Sequence, residues 1–171
     1  MLLKETLLVR LLGLKIPAIA FCSPVVERID DETCALRIPL GWRTKNHLGS
    51  MYVGVMCAGA DLASGVHAYR LIRSRYRDVR LVFADLKADF LKRADGDVVF
   101  ESRQGLEVAA AMEKAVATGE RVTFPVHIVA TVPSRYGDEP VARFTLGLSL
   151  KNKATAAETA KAAPPAVAAA R

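Results

Sequence analysis

Three segments of the chain alternate between apolar and polar positions, which is the period-two pattern of a half-buried β-strand. They cover residues 80–91, 121–132 and 141–151. The positions predicted to face the core are Val82, Ala84, Leu86, Ala88 and Phe90, then Val122, Phe124, Val126, Ile128, Ala130 and Val132, then Ala142, Phe144, Leu146, Leu148 and Leu150. The opposite positions carry most of the charged side chains. The pattern therefore predicts an antiparallel sheet with one apolar face.

Two further strands and a helix are predicted from turn signals. An Asp-Gly-Asp turn at 95–97 leads into a strand over 97–103, and the segment 25–39 reads as one strand bent at 30–31. Residues 105–118 have the spacing of a helix that ends before a glycine. These elements complete an α+β chain dominated by its sheet.

Residues 50–68 form a different kind of element, a helix that is apolar or small on every side. Such a helix must be buried all round. Gly54, Gly59 and Gly65 lower its intrinsic stability and suggest close approach of another group. A sheet with one apolar face and a wholly apolar helix can bury each other's apolar surface if the sheet curls around the helix.

The two ends of the chain differ from its middle in composition. Residues 1–22 predict an amphipathic helix ended by Pro17 and packed on the domain, with a membrane-surface helix as the alternative. Residues 23–151 form the predicted domain. Residues 152–171 consist mainly of Ala, Lys, Thr and Pro and predict a disordered tail.

Composition narrows the classes of protein. Of the net charge of +6, the segment 151–171 carries +3 and 1–15 carries +2, which leaves a nearly neutral domain. Only 6% of the residues are aromatic, so we expect no nucleic-acid partner. The chain has an odd number of cysteines and no CxxC pair, which argues against a disulfide framework or a zinc site and favours the cytoplasm. No metal or cofactor is expected.

One acidic residue stands inside the apolar helix. Asp61 is the sole carboxylate between positions 33 and 77, and a buried unpaired carboxylate is costly unless it has a partner or a function. Asn46 or Ser50 is placed to cap the helix, and the free N–H groups of its first turn could hold a developing oxyanion. The alternative is a structural Asp61, held by hydrogen bonds at a subunit interface.

Residues 46–61, NHLGSMYVGVMCAGAD, resemble the active-site segment of hotdog-fold thioesterases. The similarity is to the phenylacetic-acid type, with the pattern N-x-x-G-x-x-H-G-G-x-x-x-x-x-x-D, and to an uncharacterised bacterial branch of the same fold. The resemblance implies a hotdog fold in which the sheet wraps the long helix. It implies that Asp61 acts as base or nucleophile, that the Gly54 N–H holds the thioester oxygen, and that Asn46 orients substrate or water.

The chain departs from the family pattern at two positions, with Tyr52 in place of histidine and Val53 in place of the first glycine. Substrate contacts are predicted for His47, Gly49, Tyr52, Val53 and Ser64. His47 is alternatively a plain loop residue. The arginines that follow the helix could bind coenzyme A phosphates or form a solvated loop. This set comprises Arg70, Arg73, Arg75, Arg77 and Arg80.

The resemblance further implies a homodimer, or a tetramer of two dimers, because in this family the acidic residue and the helix start that serve one substrate come from opposite protomers. The expected reaction is hydrolysis of an acyl-CoA or acyl-carrier-protein thioester, with coenzyme A present only as part of the substrate. Two alternatives stay open, a hydratase or dehydratase and a non-catalytic acyl-binding module.

Overall fold

The structure is a computed structural model that describes residues 2–12 and 16–153. The helices are α1 Leu3–Leu12, α2 Pro17–Cys22, α3 Val53–Ser74, α4 Gly105–Thr118 and α5 Pro133–Tyr136. The strands are β1 Val25–Ile29, β2 Cys34–Ile38, β3 Val79–Phe90, β4 Val98–Ser102, β5 Val122–Thr131 and β6 Pro140–Asn152. Of the tail predicted to be disordered, 154–171 lie outside the described residues.

All six strands form one antiparallel sheet in the order β1-β2-β4-β5-β6-β3. Helix α3 packs against five of them, β2 to β6, so the sheet curls around it as predicted. The close approach expected at one glycine is present, since a Cβ on Gly59 would lie 2.4 Å from the ring of Phe100 on β4. The predicted α+β architecture is confirmed.

The prediction of one bent strand over 25–39 was wrong, because the segment forms a hairpin of β1 and β2. The reversal occurs at Asp30, whose Oδ1 accepts hydrogen bonds from the backbone N–H groups of Glu32 and Thr33. An aspartate that binds the backbone two and three residues ahead favours a turn over a continuous strand.

The predicted face of β3 was wrong in the first half of the strand. Its pairing with β6 shifts between Phe83 and Leu86, where a β-bulge adds one residue. Before the bulge Leu81 and Phe83 are half-buried, whereas Val82 is 52% exposed. After the bulge Leu86 pairs with the buried Leu146, as the alternation predicts, but it remains 40% exposed. The inner face of β3 is therefore not fully covered by the rest of the described chain.

Helix α3 is not buried on all sides, which corrects the expectation from its composition. Most of its apolar side chains lie in the core, but one stripe is only half-buried. The stripe consists of Cys57, Ala58, Asp61, Gly65 and Tyr69. These positions recur at helical spacing and face β3. The part of α3 that contains the Asp61 carboxylate is thus the part that the described chain leaves half-exposed.

The N-terminal segment forms two helices, and Pro17 is the first residue of the second one. Proline suits this position because the first N–H groups of a helix have no partner within it. Helix α1 covers the outer edge of β1, where Leu2 N–H donates to the Val26 carbonyl and Val26 N–H donates to Thr6 Oγ1. In the described part of the chain, every helix is too short or too polar to cross a bilayer.

Candidate active site

The Asp61 side chain projects from the open stripe of α3 toward β3, and its carboxylate has no hydrogen-bond or ion-pair partner among the described residues. Its Oδ atoms keep some contact with solvent. Burial raises the pKa of the Asp61 carboxyl above its usual range, because the charged form loses hydration. A carboxylate with a raised pKa is a stronger base, which suits general-base catalysis near neutral pH.

Asp61 borders two cavities. The larger, about 480 Å³, runs along α3 and is here called the α3 groove. Its walls are formed by Ile16, Ile19, Asp61, Leu62, Gly65, Val66, Tyr69, Ile72, Leu81, Val82 and Phe83. The smaller, about 360 Å³, lies toward the bulge of β3 and is lined by Cys57, Ala58, Asp61, Phe83, Ala84, Asp85, Leu86 and Leu146. Asp61 is thus the carboxylate common to both.

The first turn of α3 offers two free backbone donors. Tyr52, in extended conformation, precedes the helix, and its carbonyl accepts the N–H groups of Val55 and Met56. The exposed N–H groups of Val53 and Gly54 have no acceptor in the described part of the chain. A Cβ on Gly54 would lie 2.6 Å from the Tyr52 ring, so glycine lets this ring lie against the helix start. Two adjacent free donors with a phenol beside them can hold an anionic oxygen.

Asn46 organises the loop that leads into α3. Its Oδ1 accepts hydrogen bonds from the N–H groups of Leu48 and Ser50, which closes a tight loop before the helix. Arg93 reinforces the loop by donating to Ser50 Oγ and to the Leu48 carbonyl. Asn46 and Val53 line a third cavity of about 300 Å³ at this end of the helix. Asn46 thus shapes the helix start, and its Nδ2 is the part of the amide left to contact a ligand.

The other predicted contact residues lie in different settings. His47 is exposed on the same loop, and Gly49 has a φ of +79°, a backbone conformation that glycine adopts without strain. Ser64 is 1% exposed, and its hydroxyl donates to the backbone carbonyl of Asp61. This position leaves little of Ser64 for a substrate to touch.

A single chain does not bring the two halves of the predicted site together. Val53 and Asp61 are eight residues apart on one continuous helix, which separates them by about 12 Å along its axis. They also open into different cavities. An oxyanion held at the helix start therefore cannot reach Asp61 of the same chain.

A further cavity, of about 270 Å³, lies at the other end of α3 beside the start of α4 and was not predicted. His67 borders it, with Nε2 3.0 Å from the Asp30 carbonyl, and burial lowers its pKa. Arg70 and Arg75, from the predicted phosphate-binding set, also border it, and Arg70 lies 3.8 Å from the Asp31 carboxylate. Distant backbone segments form this cavity, so no local sequence pattern could have indicated it.

The described residues contain no group of three or more His, Cys, Asp or Glu side chains placed to hold a metal ion. Cys22, Cys34 and Cys57 are free thiols. Cys34 is fully buried, and burial raises its pKa to about 12, so it remains a protonated core side chain.

Solved structures with the same arrangement come from several bacteria. A Pseudomonas aeruginosa protein of unknown function, described as a probable thioesterase, superposes with a TM-score of 0.71 at 20% identity, over 89% of this chain and 97% of that one. A Chlorobaculum tepidum protein of unknown function gives a TM-score of 0.74 at 14% identity, over 86% and 94%. A Haemophilus influenzae thioesterase gives 0.54 at 14% identity, over 80% and 83%.

These likenesses establish the fold, a hotdog in which the sheet wraps α3. A comparison with curated proteins gives no match. Residues 4–146 match the sequence profile of a family described as a domain of unknown function, DUF4442. Because this match covers most of the chain, the protein is a hotdog-fold member of the DUF4442 family.

Proposed function

We propose that this protein hydrolyses acyl thioesters, of coenzyme A or of an acyl carrier protein, at sites shared by two copies of the chain. The observation that carries the proposal is the Asp61 carboxylate, which is half-buried, has no partner among the described residues and borders an apolar groove. An unpaired, partly buried carboxylate destabilises the fold, and such groups are concentrated at functional sites.

The chemistry requires a base and a stabilised oxyanion. With Asp61 as general base, a water oxygen attacks the thioester carbonyl carbon while its proton passes to the carboxylate. The tetrahedral intermediate then collapses, the carbon–sulfur bond breaks, and the leaving thiolate takes the proton back from Asp61. The products are a free acid and a thiol. Direct attack by the carboxylate, through an anhydride, is the alternative use of the same group.

The oxyanion site in this proposal is the first turn of α3 in a second protomer. The free N–H groups of Val53 and Gly54 of the partner subunit would donate to the carbonyl oxygen as its charge develops. Tyr52, which stands where the related thioesterases carry histidine, lies against Gly54 and adds a phenol to the same end of the helix. The 12 Å separation of these groups from Asp61 within one chain supports a shared site.

The two edges of the sheet favour a dimer through β3. The edge at β1 is five residues long and is covered by α1. The edge at β3 is twelve residues long, and among the described residues no further strand pairs with it. It exposes Val82, Leu86 and Phe90, each by 40% or more. A long, apolar, open edge promotes association with another strand, so we expect β3 to pair with β3 of a second copy.

The likeness to proteins described as thioesterases from Pseudomonas aeruginosa and Haemophilus influenzae supports the same reaction class by analogy of fold. The groove beside Asp61 supports it independently, because an acyl chain is an apolar ligand and the groove is an apolar cavity next to the only candidate base on the open stripe.

A thiol-release assay with a panel of straight-chain acyl-CoAs tests the proposal. The wild-type protein is expected to release coenzyme A, and Asp61→Asn is expected to lower kcat at least about 100-fold, since it removes the base. Asp138→Asn is the matched control, because this aspartate is exposed and borders none of the cavities described above.

Three results would contradict the proposal. Binding of acyl-CoA without turnover by the wild-type protein would indicate an acyl-binding module. Hydration of an enoyl-CoA, followed by its absorbance, would indicate a hydratase. Equal hydrolysis by the wild-type protein and Asp61→Asn would remove Asp61 from the reaction.

A further inference from the structure

We infer that the α3 groove holds the acyl part of the substrate as an unbranched chain of about a dozen carbons, and that Gly65 determines the longest chain accepted. The inference rests on the proposed hydrolysis, because it places the thioester at Asp61. It adds a substrate length and a specificity-determining residue, neither of which the local sequence around Asp61 indicates.

The lining of the groove fits an alkyl chain. Nine of its eleven side chains are aliphatic, aromatic or glycine, and the two polar ones are Asp61 and Tyr69. The Tyr69 hydroxyl lies 3.5 Å from Arg73 Nη1, beyond the apolar middle section. A ligand with a polar end near Asp61 and an apolar chain beyond it therefore matches the groove, in which the Asp61 carboxylate is followed by apolar side chains.

Three parts of the protein line this path. Leu62, Val66 and Ile72 project from α3 on one side, while Leu81 and Phe83 approach from β3 on the other. Ile16 and Ile19, at the start of α2 and within it, add a third wall. An alkyl chain between these three elements would exchange water for apolar contacts along its whole length.

The length of the groove sets the length of the chain. Asp61 and Ile72 are eleven positions apart on α3, which corresponds to about 16 Å at the helical rise. A fully extended chain advances roughly 1.2 Å per bond, as in an extended backbone. The path from Asp61 to Ile72 thus accepts about 13 bonds.

The volume of the groove gives a second estimate of the chain length. A methylene group is close in size to a water molecule, whose share of liquid volume is about 30 Å³. The groove of about 480 Å³ then has room for about 16 such groups. Length and volume agree on a medium-length chain.

Gly65 lies in the first half of this path, four residues or about 6 Å beyond Asp61. A Cβ at this position would lie 3.5 Å from Phe83 Cζ, which is an ordinary contact, so the helix can accept a side chain here. A longer side chain would extend between α3 and β3, where the ligand is placed. Leucine at position 65 would leave room for only about five carbons.

The test compares wild type, Gly65→Leu and Gly41→Leu on acyl-CoAs from butyryl to palmitoyl. The wild-type kcat/KM is expected to rise about threefold for each added methylene up to about lauroyl-CoA. Gly65→Leu should move the maximum to about hexanoyl-CoA and lower the lauroyl-to-butyryl ratio about 700-fold, because about six methylenes at about threefold each no longer contribute. Gly41→Leu receives the same side chain in a loop with no atom within 4 Å and should keep the wild-type ratio.

Circular dichroism would reveal whether Gly65→Leu misfolds. A second variant, at an exposed position, keeps the test valid in that case. Ile16 is 45% exposed, so Ile16→Glu leaves the core intact while placing a charge in the groove wall. It should lower the lauroyl-to-butyryl ratio in the same direction. Hydrolysis with the same chain-length profile in wild type, Gly65→Leu and Ile16→Glu would overturn the inference and leave the proposed hydrolysis standing.

A binding experiment separates the groove from the reaction. A fluorescent fatty acid should bind the wild-type protein and be displaced by laurate but not by butyrate, and it should bind Gly65→Leu far more weakly. If no thioester is hydrolysed but laurate binding follows this pattern, the proposed reaction is refuted. The inference that the groove binds an acyl chain still stands. If laurate does not displace the probe from the wild-type protein, or if the probe does not bind, the groove does not hold an acyl chain.

Discussion

Replacing Asp61 by asparagine should make the protein more stable while removing the proposed hydrolysis. Full burial of an unpaired ion costs several kcal/mol, but Asp61 is only half-buried and borders open cavities, so a fraction of that cost applies. We expect Asp61→Asn to raise the free energy of unfolding by about 1 kcal/mol at pH 7, which corresponds to a rise in Tm of about 3 °C for a chain of this size. Such a gain is typical of sites where function opposes stability.

The sign of the pH dependence follows from the pKa shift. Burial raises the pKa of Asp61 in the folded state, so the folded protein binds this proton more tightly than the unfolded chain does. This contribution to stability is fully present below the ordinary pKa of an aspartate and is lost as pH rises through the raised folded value. The advantage of Asp61→Asn should therefore be present at pH 7 and disappear in acid, where Asp61 is protonated in both states.

Urea unfolding of wild type, Asp61→Asn and Asp138→Asn checks this prediction, at one protein concentration because the proposed dimerisation would make apparent stability depend on concentration. Asp138→Asn should stay within about 0.5 kcal/mol of wild type, as expected for an exposed site. If Asp61→Asn were instead less stable at neutral pH by 1 kcal/mol or more, favourable contacts would hold the carboxylate. Asp61 would then be a structural residue of a subunit interface.

Two further substitutions test the core and the open edge of the sheet. Gly59→Ala should lower the free energy of unfolding by roughly 1 to 3 kcal/mol, because its Cβ would overlap the Phe100 ring, whereas Gly41→Ala should have little effect in thermal melts. Leu86→Lys places a charge on the exposed part of β3 and should convert dimers into monomers in light scattering, and a dimer unchanged by this substitution would contradict pairing through β3.

The periodicity of the sequence was sufficient to identify β5, β6 and the wholly apolar helix, because burial on one face imposes a regular spacing on the side chains. It was also sufficient to single out Asp61, since a lone carboxylate in an apolar segment is visible without coordinates. Helix α4 was located at 105–118 for the same reason, with glycine following its last turn.

Only the tertiary structure showed where these patterns fail. The bulge between Phe83 and Leu86 shifts the alternation of β3 by one residue, and such a shift depends on the register of the partner strand rather than on local composition. The open stripe of α3 likewise depends on how far the sheet extends around the helix. The groove beside Asp61 combines α2, α3 and β3, whose residues are distant in sequence. The sequence alone determined which side chains avoid water, whereas the packing of distant segments decided which of them remain available to a ligand.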